Sequence, residues 1–175
     1  MDVGVDIDIR TAKPSDADAL AAIYAHHVLH GTASYEIEPP SAADMRAKID
    51  HISKLGWPFI VAEIDGELAG YAYATQFRDR AAYRFACEDS IYVAAARTGH
   101  GIGRALLQQL IERSSTYGFK TMIAVVGGAE PASIALHEAL GFVEVGRLTA
   151  VGFKFGRWLD SVYLQVELNG AEQES

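Results

Sequence analysis

A carboxylate and an imidazole flank a glycine-rich turn in this chain, and together these features could bind an anion and move protons. The carboxylate is Glu88, the imidazole is His137, and the turn is Gly99-His-Gly-Ile-Gly103, between a strand-like apolar run and an amphipathic stretch. A glycine turn that leads into a helix exposes amide N–H groups without intrahelical partners, and the helix dipole favours negative charge there. Glycine also lacks the Cβ atom that would hold an anion's oxygens at a distance. The segment therefore predicts a phosphate or pyrophosphate site.

Glu88 and His137 are the candidates for proton transfer. Glu88 follows Cys87 and lies near Phe85 and Ile91 in the chain, and burial among such neighbours raises the pKa of a carboxyl group. An imidazole titrates near neutral pH, so His137 could act as a base or as an acid. A solvent-facing carboxylate at a strand end and a packed histidine on a helix are the structural alternatives. The residues alone leave open which group takes a proton.

A second cluster of chemistry-bearing side chains precedes Glu88. Arg78, Arg80 and Tyr83 lie close together in a chain whose net charge is −8. Guanidinium groups hold carboxylates and related oxyanions through paired N–H donors. A solvated polar loop is the structural alternative for this cluster.

The composition limits the class of protein. The 175 residues suit one domain with a sizeable core; 50% of them are hydrophobic and 22% are charged. The net charge of −8 argues against a nucleic-acid or anionic-membrane partner. The chain has a single cysteine, and it shows neither a signal-like segment nor an apolar run of roughly 18 residues. These features predict a cytoplasmic protein. We expect no metal, because the six histidines show no ligand spacing beyond the adjacent His26 and His27.

Hydrophobic periodicity and turn signals predict the elements that must position these residues. Strands are predicted at 5–9, 59–64, 68–73, 89–94, 120–127, 143–148 and 162–168. Helices are predicted after Ser15 or Asp16, from Ser41 towards Leu55, from Ile102 to Gly118, and over 132–140. Asp65-Gly66 indicates a hairpin, and an aromatic, basic loop is expected between the last two strands. The pattern predicts one α/β (α+β) domain over 1–175, with its core at about 7–169 and a polar tail at 170–175.

The glycine turn by itself does not identify its ligand. A dinucleotide fold needs Gly-x-Gly-x-x-Gly after the first strand, and a mononucleotide loop needs Gly-Lys-Ser/Thr. Here the spacing is Gly-x-Gly-x-Gly, in mid-chain and after a hairpin. A helix start with incidental glycines is the remaining alternative.

Three further blocks in this order resemble the GNAT acetyltransferase superfamily and, within it, the phosphinothricin and methionine sulfoximine N-acetyltransferases. The blocks are Glu88-Asp-Ser-Ile-Tyr-Val93, Ala132-Ser-Ile-Ala-Leu-His-Glu-Ala-Leu-Gly-Phe142 and Gly152-Phe-Lys-Phe-Gly-Arg-Trp-Leu-Asp160. The resemblance runs roughly from Ile9 to Leu168. It implies a GNAT acyl-CoA N-acyltransferase fold, with a mixed central sheet flanked by helices, and acetyl-CoA as co-substrate.

The resemblance also implies an activity. It implies direct transfer of acetyl, with general-base help, to the α-amine of phosphinothricin, methionine sulfoximine, methionine sulfone or a similar small amino-acid analogue. Acetylation of another amine, in a polyamine, an antibiotic or a protein N-terminus, is an alternative within the fold. A non-catalytic acyl-CoA-binding regulator is the alternative from another class, and a Rossmann oxidoreductase is a third reading. The family is typically dimeric, so the resemblance implies a homodimer, with Phe153, Phe155 and Trp158 suited to its interface.

The resemblance implies a role for each site residue. Glu88 is the implied general base, and His137 shares the proton transfer. The implied cofactor-binding residues are Ile91, Tyr92, Val93, Thr98, Gly99, His100, Gly101, Ile102, Gly103, Arg104, Glu130 and Ser133. The implied substrate-binding residues are Tyr35, Tyr73, Arg78, Arg80, Tyr83, Val125, Val126, Gly127 and Lys154.

Two positions depart from the family pattern. The pyrophosphate loop of the family is written Gln/Arg-x-x-Gly-x-Gly/Ala, and Thr98 stands here at its first position, with the arginine displaced to Arg97. Backbone N–H groups make most of that contact, so we expect altered affinity and the same ligand. Glu130 stands where the family usually has asparagine, and a negative charge there would weaken a cofactor contact.

Overall fold

A seven-stranded mixed sheet organises residues 6–169, the part of the chain that the computed structural model describes. The elements are β1 Asp8–Thr11, α1 Ala17–His30, α2 Ala42–Lys54, β2 Phe59–Ile64, β3 Glu67–Gln76, β4 Ala86–Val93, α3 Ile102–Tyr117, β5 Thr121–Gly127, α4 Pro131–Glu138, β6 Val143–Lys154 and β7 Arg157–Glu167. The strand order is β1-β2-β3-β4-β5-β7-β6, and only the β4–β5 pair is parallel. The predicted mixed sheet with flanking helices is confirmed.

Two apolar cores lie on opposite faces of this sheet because strand side chains alternate between the faces. Helices α1 and α2 pack on one face, with Phe59, Val61 and Tyr71 beneath them. Helix α3 packs on the other face over Ile60, Ala62 and neighbouring strand residues, and α4 contributes partly buried side chains there. The sheet is therefore a buried layer that can hold functional groups on either face.

The local signals read from the sequence explain where the helices begin and end. Ser41 caps α2 and forms a capping box with Asp44. Helix α3 begins after Gly101 (φ +78°) and ends at Gly118 (φ +115°), both in the left-handed region that favours glycine. Pro131 occupies the first turn of α4.

Strands β4 and β5 separate soon after they pair. The parallel ladder joins only 86–88 of β4 to 121–123 of β5. Beyond that point β4 remains paired with β3, and β5 with β7. A cleft therefore opens through the middle of the sheet, at the carboxyl ends of two parallel strands.

The connection between the last two strands differs from the prediction. The expected aromatic, basic loop is instead the end of a long hairpin, in which β6 reaches Lys154 and β7 starts at Arg157. Phe155 and Gly156 form its two-residue turn with positive φ at both positions, as the type I′ turn of a tight hairpin requires. Pairing with β7 thus holds this polar and aromatic segment in an extended conformation.

Smaller differences concern the ends of elements. The first strand was predicted at 5–9 and is observed at Asp8–Thr11, so it starts and ends later than expected; Val5 and the predicted tail at 170–175 lie outside the described residues. Strand β4 begins three residues earlier than expected, at Ala86. None of the helices in the described part of the chain combines the length and apolar character that crossing a membrane requires.

Candidate active site

A cleft of about 1120 Å³ occupies the gap between β4 and β5. This volume exceeds the roughly 300–1,000 Å³ of sites for drug-sized molecules, so the cleft suits an elongated ligand. The predicted site residues that line it are Tyr35, Glu88, Ile91, Tyr92, Val93, Thr98, Gly99, Gly101, Ile102, Gly103, Arg104, Val125, Val126, Gly127, Glu130, Ser133 and His137. The predicted site residues outside its lining are Tyr73, Arg78, Arg80, Tyr83, His100 and Lys154.

The glycine turn presents free backbone donors at one end of the cleft. Hydrogen bonding within α3 begins with the Ala105 amide, which donates to the Gly101 carbonyl at 3.0 Å. The amides of Ile102, Gly103 and Arg104 therefore have no partner inside the helix. A Cβ atom at Gly99 or Gly101 would meet no atom within 4 Å, so the space above both glycines is open. This end of the cleft fits a pyrophosphate group.

The third glycine of the turn has a packing role as well. A Cβ atom at Gly103 would approach the Leu136 side chain to 3.3 Å. Gly103 therefore lets α3 and α4 come together where both line the cleft. Sequence reasoning assigned all three glycines to anion binding, whereas open space lies only above the first two.

Side chains near the turn are engaged with the protein. The Thr98 hydroxyl donates to the Ala95 carbonyl at 3.2 Å, and the exposed His100 ring contacts the Thr98 carbonyl at 2.9 Å. Arg97 forms an ion pair with Glu67 at 3.2 Å. The Glu130 carboxylate accepts from the Ala132 amide at 3.5 Å and thereby caps α4. Because these groups already bond to the protein, backbone donors dominate this end.

The end of β4 is tied to α1 through the backbone that faces the cleft. The ring Nε2 of His27 lies 2.8 Å from the Val93 carbonyl and must donate, because a carbonyl oxygen can only accept. Burial lowers the pKa of His27, and the carbonyl opposes that change. Val93 was expected to bind the cofactor, and its carbonyl already accepts this hydrogen bond. The sequence contained no signal for His27.

Glu88 lies at the point where the cleft narrows, with its side chain one-third exposed. Burial, the largest influence, raises the pKa of Glu88, the Arg78 charge lowers it, and the Asp89 charge raises it; the net direction is upward. Arg78 Nη1 lies 3.6 Å from Glu88 Oε2. Arg78 is therefore within reach of the predicted base although it does not line the cleft.

His137 belongs to a buried pair that the sequence analysis missed. Its Nε2 lies 2.9 Å from Asp89 Oδ2, and its Nδ1 lies 2.7 Å from the Ser133 carbonyl. The Phe142 ring packs edge-on at 4.9 Å. Burial lowers the pKa of His137. The Asp89 hydrogen bond, the Asp89 charge and the Ser133 carbonyl together raise the pKa by a larger amount, so it lies above its ordinary value.

Glu88 and His137 approach the cleft from opposite faces of the sheet. Asp89 shares the face of Cys87, which is buried in the core under α3, whereas Glu88 shares the face of Tyr92, which packs on the α1–α2 core. The two predicted proton-transfer groups are therefore separated by the backbone of β4. Both line the cleft because β5 has diverged at this level.

Tyr35 lines the cleft, and its side chain is fixed there by bonds to the protein. Its hydroxyl donates to the Asp160 carbonyl at 2.7 Å, accepts from the Gly128 amide at 3.2 Å, and contacts Ser161 Oγ at 2.9 Å. The ring packs closely on two glycines: a Cβ atom at Gly127 would lie 2.9 Å from it, and a Cβ atom at Gly152 would lie 2.7 Å from it. Tyr35 thus joins the loop after α1 to the β5 and β6 strands, and its hydroxyl has no donor to spare for a ligand.

The remaining predicted substrate residues lie around the cleft. Tyr73 packs beside the α1–α2 core, where Lys48 Nζ reaches its hydroxyl at 3.4 Å. Lys154 is buried and donates to the Ser34 carbonyl at 2.8 Å; burial lowers its pKa, and the Glu36 charge opposes this. Tyr83 packs edge-on to Phe77, and Arg80 is exposed. Among these, Lys154 supports the loop that carries Tyr35.

No group of three or more histidine, cysteine, aspartate or glutamate side chains within residues 6–169 is arranged to hold a metal ion. The single cysteine, Cys87, is buried beneath α3, and burial raises the pKa of its thiol beyond the physiological range. The arrangement is therefore an anion-binding turn joined to two proton-transfer candidates in one cleft.

Comparisons with known proteins agree with this geometry. The family model for the acetyltransferase (GNAT) domain matches residues 9–163. A phosphinothricin N-acetyltransferase of Alcaligenes faecalis is 48% identical over 97% of this chain and 89% of its own. An L-methionine sulfoximine/L-methionine sulfone acetyltransferase of Salmonella typhimurium is 37% identical over 92% of this chain and 94% of its own.

A solved structure gives the same result for the fold. A phosphinothricin acetyltransferase from Sinorhizobium meliloti, in complex with AcCoA, superposes with a TM-score of 0.92 at 47% identity, covering 96% of this chain and 92% of that one. The expected GNAT architecture is confirmed. From the family match over most of its length and from these relatives, the chain belongs to the GNAT acetyltransferase family.

Proposed function

We propose that this protein transfers acetyl from acetyl-CoA to the α-amine of a small amino-acid analogue of the phosphinothricin, methionine sulfoximine or methionine sulfone type. The observation that carries the proposal is Glu88, a partly buried carboxylate with a raised pKa, placed beside Arg78 and inside a cleft with an anion-binding turn. The names of the relatives support the choice of acceptor. We propose further that 1–175 acts as one acetyltransferase domain.

The glycine turn is the proposed pyrophosphate site. Acetyl-CoA supplies an acyl group activated as a thioester. The free amides of Ile102, Gly103 and Arg104 would hold its pyrophosphate, and the strand segment 91–93 would flank the arm that leads into the sheet. This orientation directs the thioester towards the point where β4 and β5 separate.

Arg78 is the proposed anchor for the acceptor. Its guanidinium is half exposed and reaches Glu88, so an acceptor anion bound to Arg78 would place the adjacent ammonium near that carboxylate. A polyamine or another cationic acceptor would meet Arg78 with like charge. The arginine therefore favours a zwitterionic amino-acid analogue over the cationic alternatives.

Glu88 is the proposed base. An alkylammonium has a pKa near 10, so attack on the thioester carbonyl requires removal of a proton. Glu88 takes that proton, the amine nitrogen bonds to the carbonyl carbon, and the carbon–sulfur bond breaks to leave a thiolate. The new amide loses a second proton, so one proton reaches the thiol and one reaches solvent.

The test is turnover of acetyl-CoA with a panel of amines, measured as thiol release and checked by mass spectrometry of the product. We expect acetylation of phosphinothricin and methionine sulfoximine, and much slower reaction with polyamines and peptide N-termini. Preferred acetylation of a polyamine or a peptide would contradict the proposed acceptor and favour the alternative in which the enzyme acetylates another amine. Calorimetric binding of CoA without thiol release from any amine would favour a non-catalytic acyl-CoA-binding regulator.

We also infer a homodimer and a cytoplasmic location. The β6–β7 hairpin exposes large apolar side chains, and exposed contiguous apolar surface marks an interface. These residues are Val143, Val145, Leu148, Val151, Phe153, Phe155 and Trp158. Sedimentation of the protein and of a Phe153→Ser/Trp158→Ser variant tests the dimer; a monomeric parent protein would contradict it. A single buried thiol suits a reducing compartment, which cell fractionation can check.

A further inference from the structure

The His137–Asp89 pair has two features that decide which proton-transfer role His137 can take. Both ring nitrogens are hydrogen-bonded, one to a backbone carbonyl and the other to a carboxylate. The pair is buried, with 5% of the His137 side chain and 3% of the Asp89 side chain exposed. These contacts determine how many protons the ring holds.

The acceptors identify the proton positions. The Ser133 carbonyl, 2.7 Å from Nδ1, can only accept, so Nδ1 carries a hydrogen. A second proton lies between Nε2 and Asp89 Oδ2, 2.9 Å apart. The hydrogen bond to Asp89 and the Asp89 charge favour the protonated ring, so we assign that proton to Nε2. His137 is then an imidazolium paired with a carboxylate.

The polar contacts of the pair favour the charged form, and its burial opposes that form. Asp89 Oδ1 is buried and has no hydrogen-bond partner among the described residues, so the carboxylate relies on His137 for its countercharge. Phe142 and the apolar part of α4 cover the ring. The raised pKa of His137 agrees with this arrangement.

Other titratable groups near the pair lie on β4 and α4. On β4, the Cys87 thiol shares the face of Asp89, and burial raises its pKa, so it stays neutral. Glu88 points to the other face of the strand. On α4, Glu138 is exposed, and Glu130 caps the helix at its far end. Asp89 is therefore the charged group in direct contact with His137.

We propose that Asp89 is a positioning residue that keeps His137 doubly protonated, so that His137 serves the cleft as a cation and never as the base. The role of His137 in the reaction rests on the proposed function, whereas the charge of its ring does not. No lone pair of the ring is free to take a proton from an amine. The base role is left to Glu88. The His137 imidazolium can act on the departing thiolate only through its charge, because both of its N–H groups donate to the protein.

The first test measures the charge of the ring and needs no activity. Long-range ¹H–¹⁵N NMR of the whole protein, with His137 assigned by its loss in His137→Gln, is followed while the pH is raised. We expect both ring nitrogens of His137 to show the imidazolium signature at pH 7, and a neutral ring at higher pH. A neutral ring at pH 7 would overturn the inference, whatever the activity of the enzyme.

The second test uses Asp89→Asn, which keeps the shape of the side chain and removes its charge. The His137 transition should move to lower pH, and kcat should fall roughly 10- to 100-fold, the range for loss of a group that orients a site histidine. A purely structural role would instead leave the His137 transition unmoved. Asp16→Asn is the matched control, since it removes the carboxylate of another largely buried ion pair, with Arg10, far from the cleft.

The third test separates the base from the cation. In His137→Gln the rise of kcat/KM with pH should persist, because Glu88 still titrates, whereas Glu88→Gln should remove that rise. The opposite pattern would make His137 the base and contradict the inference. Absence of acetyl transfer by the unmodified protein would instead refute the proposed function and leave the NMR result standing.

Discussion

The two ends of the cleft are built in different ways. The cofactor end is one continuous segment, from Thr98 to Arg104, and its proposed contacts are backbone amides. The acceptor end combines the loop that carries Tyr35, the start of β4, the end of β5 and the β6–β7 hairpin. Side chains, chiefly Tyr35 and Lys154, hold three of these segments together: the loop, the end of β5 and the hairpin.

This difference has a consequence for how each end responds to substitution. A backbone site depends on the local dihedral angles of the turn, so we expect it to tolerate changes of side chain such as those at Thr98 and Glu130. An assembled site depends on long-range packing, so a small change in one segment displaces the others. We therefore expect substitutions to affect acetyl-CoA and the acceptor separately.

The largest effect is expected from Glu88→Gln, which keeps the size of the side chain and removes the proposed base. Loss of a general base lowers rates roughly 10²- to 10⁴-fold, and kcat should fall within that range. The Kd for acetyl-CoA should remain as it was, because Glu88 lies outside the glycine turn. Steady-state kinetics and calorimetry measure the two quantities, and an unchanged kcat would exclude Glu88 as the base.

The next effect is expected from Gly127→Ala, which disturbs the assembled end alone. A Cβ atom there would lie 2.7 Å from the Thr32 carbonyl and 2.9 Å from the Tyr35 ring, so backbone must move. Overpacking of this kind costs about 1–3 kcal/mol. The KM for the acceptor should rise about tenfold, since 1.4 kcal/mol is a factor of ten, with little change in the Kd for acetyl-CoA.

Gly146→Ala is the matched control for that experiment. Gly146 lies in β6, has no positive φ, and a Cβ atom there would meet no atom within 4 Å. We expect unchanged melting temperature and kinetics. Equal effects of the two alanines would contradict the proposed role of close packing at Gly127.

A smaller effect is expected from Gly101→Ala, and it should concern acetyl-CoA and not the acceptor. Gly101 has a φ of +78°, and alanine in the left-handed region costs about 1 kcal/mol. The Kd for acetyl-CoA should rise about fivefold, and the acceptor KM at saturating acetyl-CoA should change little. Thr98→Ala, which removes only a hydroxyl bonded to the Ala95 carbonyl, should change the Kd less. A larger effect of Thr98→Ala would show that side chains control this end.

The smallest effect is expected in the pH profile of Arg78→Ala. The Arg78 charge lowers the pKa of Glu88, so its removal raises that pKa further. The carboxylate is the active form of Glu88, so the acidic limb of the plot of kcat against pH should move to higher pH. At saturating acceptor, the plateau of that plot should keep its height. Arg80→Ala removes the same charge at an exposed position and should leave the limb in place. A shift to lower pH would contradict the assigned sign.

Most of the fold could be predicted from the sequence because its signals are local. Apolar periodicity located the strands and helices, the Ser41–Asp44 pair marked the start of α2, and Gly101 and Gly118 bounded α3. Both β6 and β7 were predicted in part, but the extended end of their hairpin was missed because its composition is that of a polar, aromatic loop. Pairing with β7 decides its conformation, and pairing partners are not visible in a single strand.

The sequence by itself determined the glycine turn, the carboxylate before it and the histidine after it, and hence the prediction of a phosphate ligand and of two proton-transfer candidates. Only the tertiary structure decided how they combine. It placed Asp89 against His137 from 48 residues away, turned Glu88 to the other face of β4, and enclosed the Tyr35 hydroxyl in bonds to the protein. The reason is physical: backbone conformation depends on neighbours in the chain, whereas protonation and hydrogen-bond saturation depend on neighbours in space.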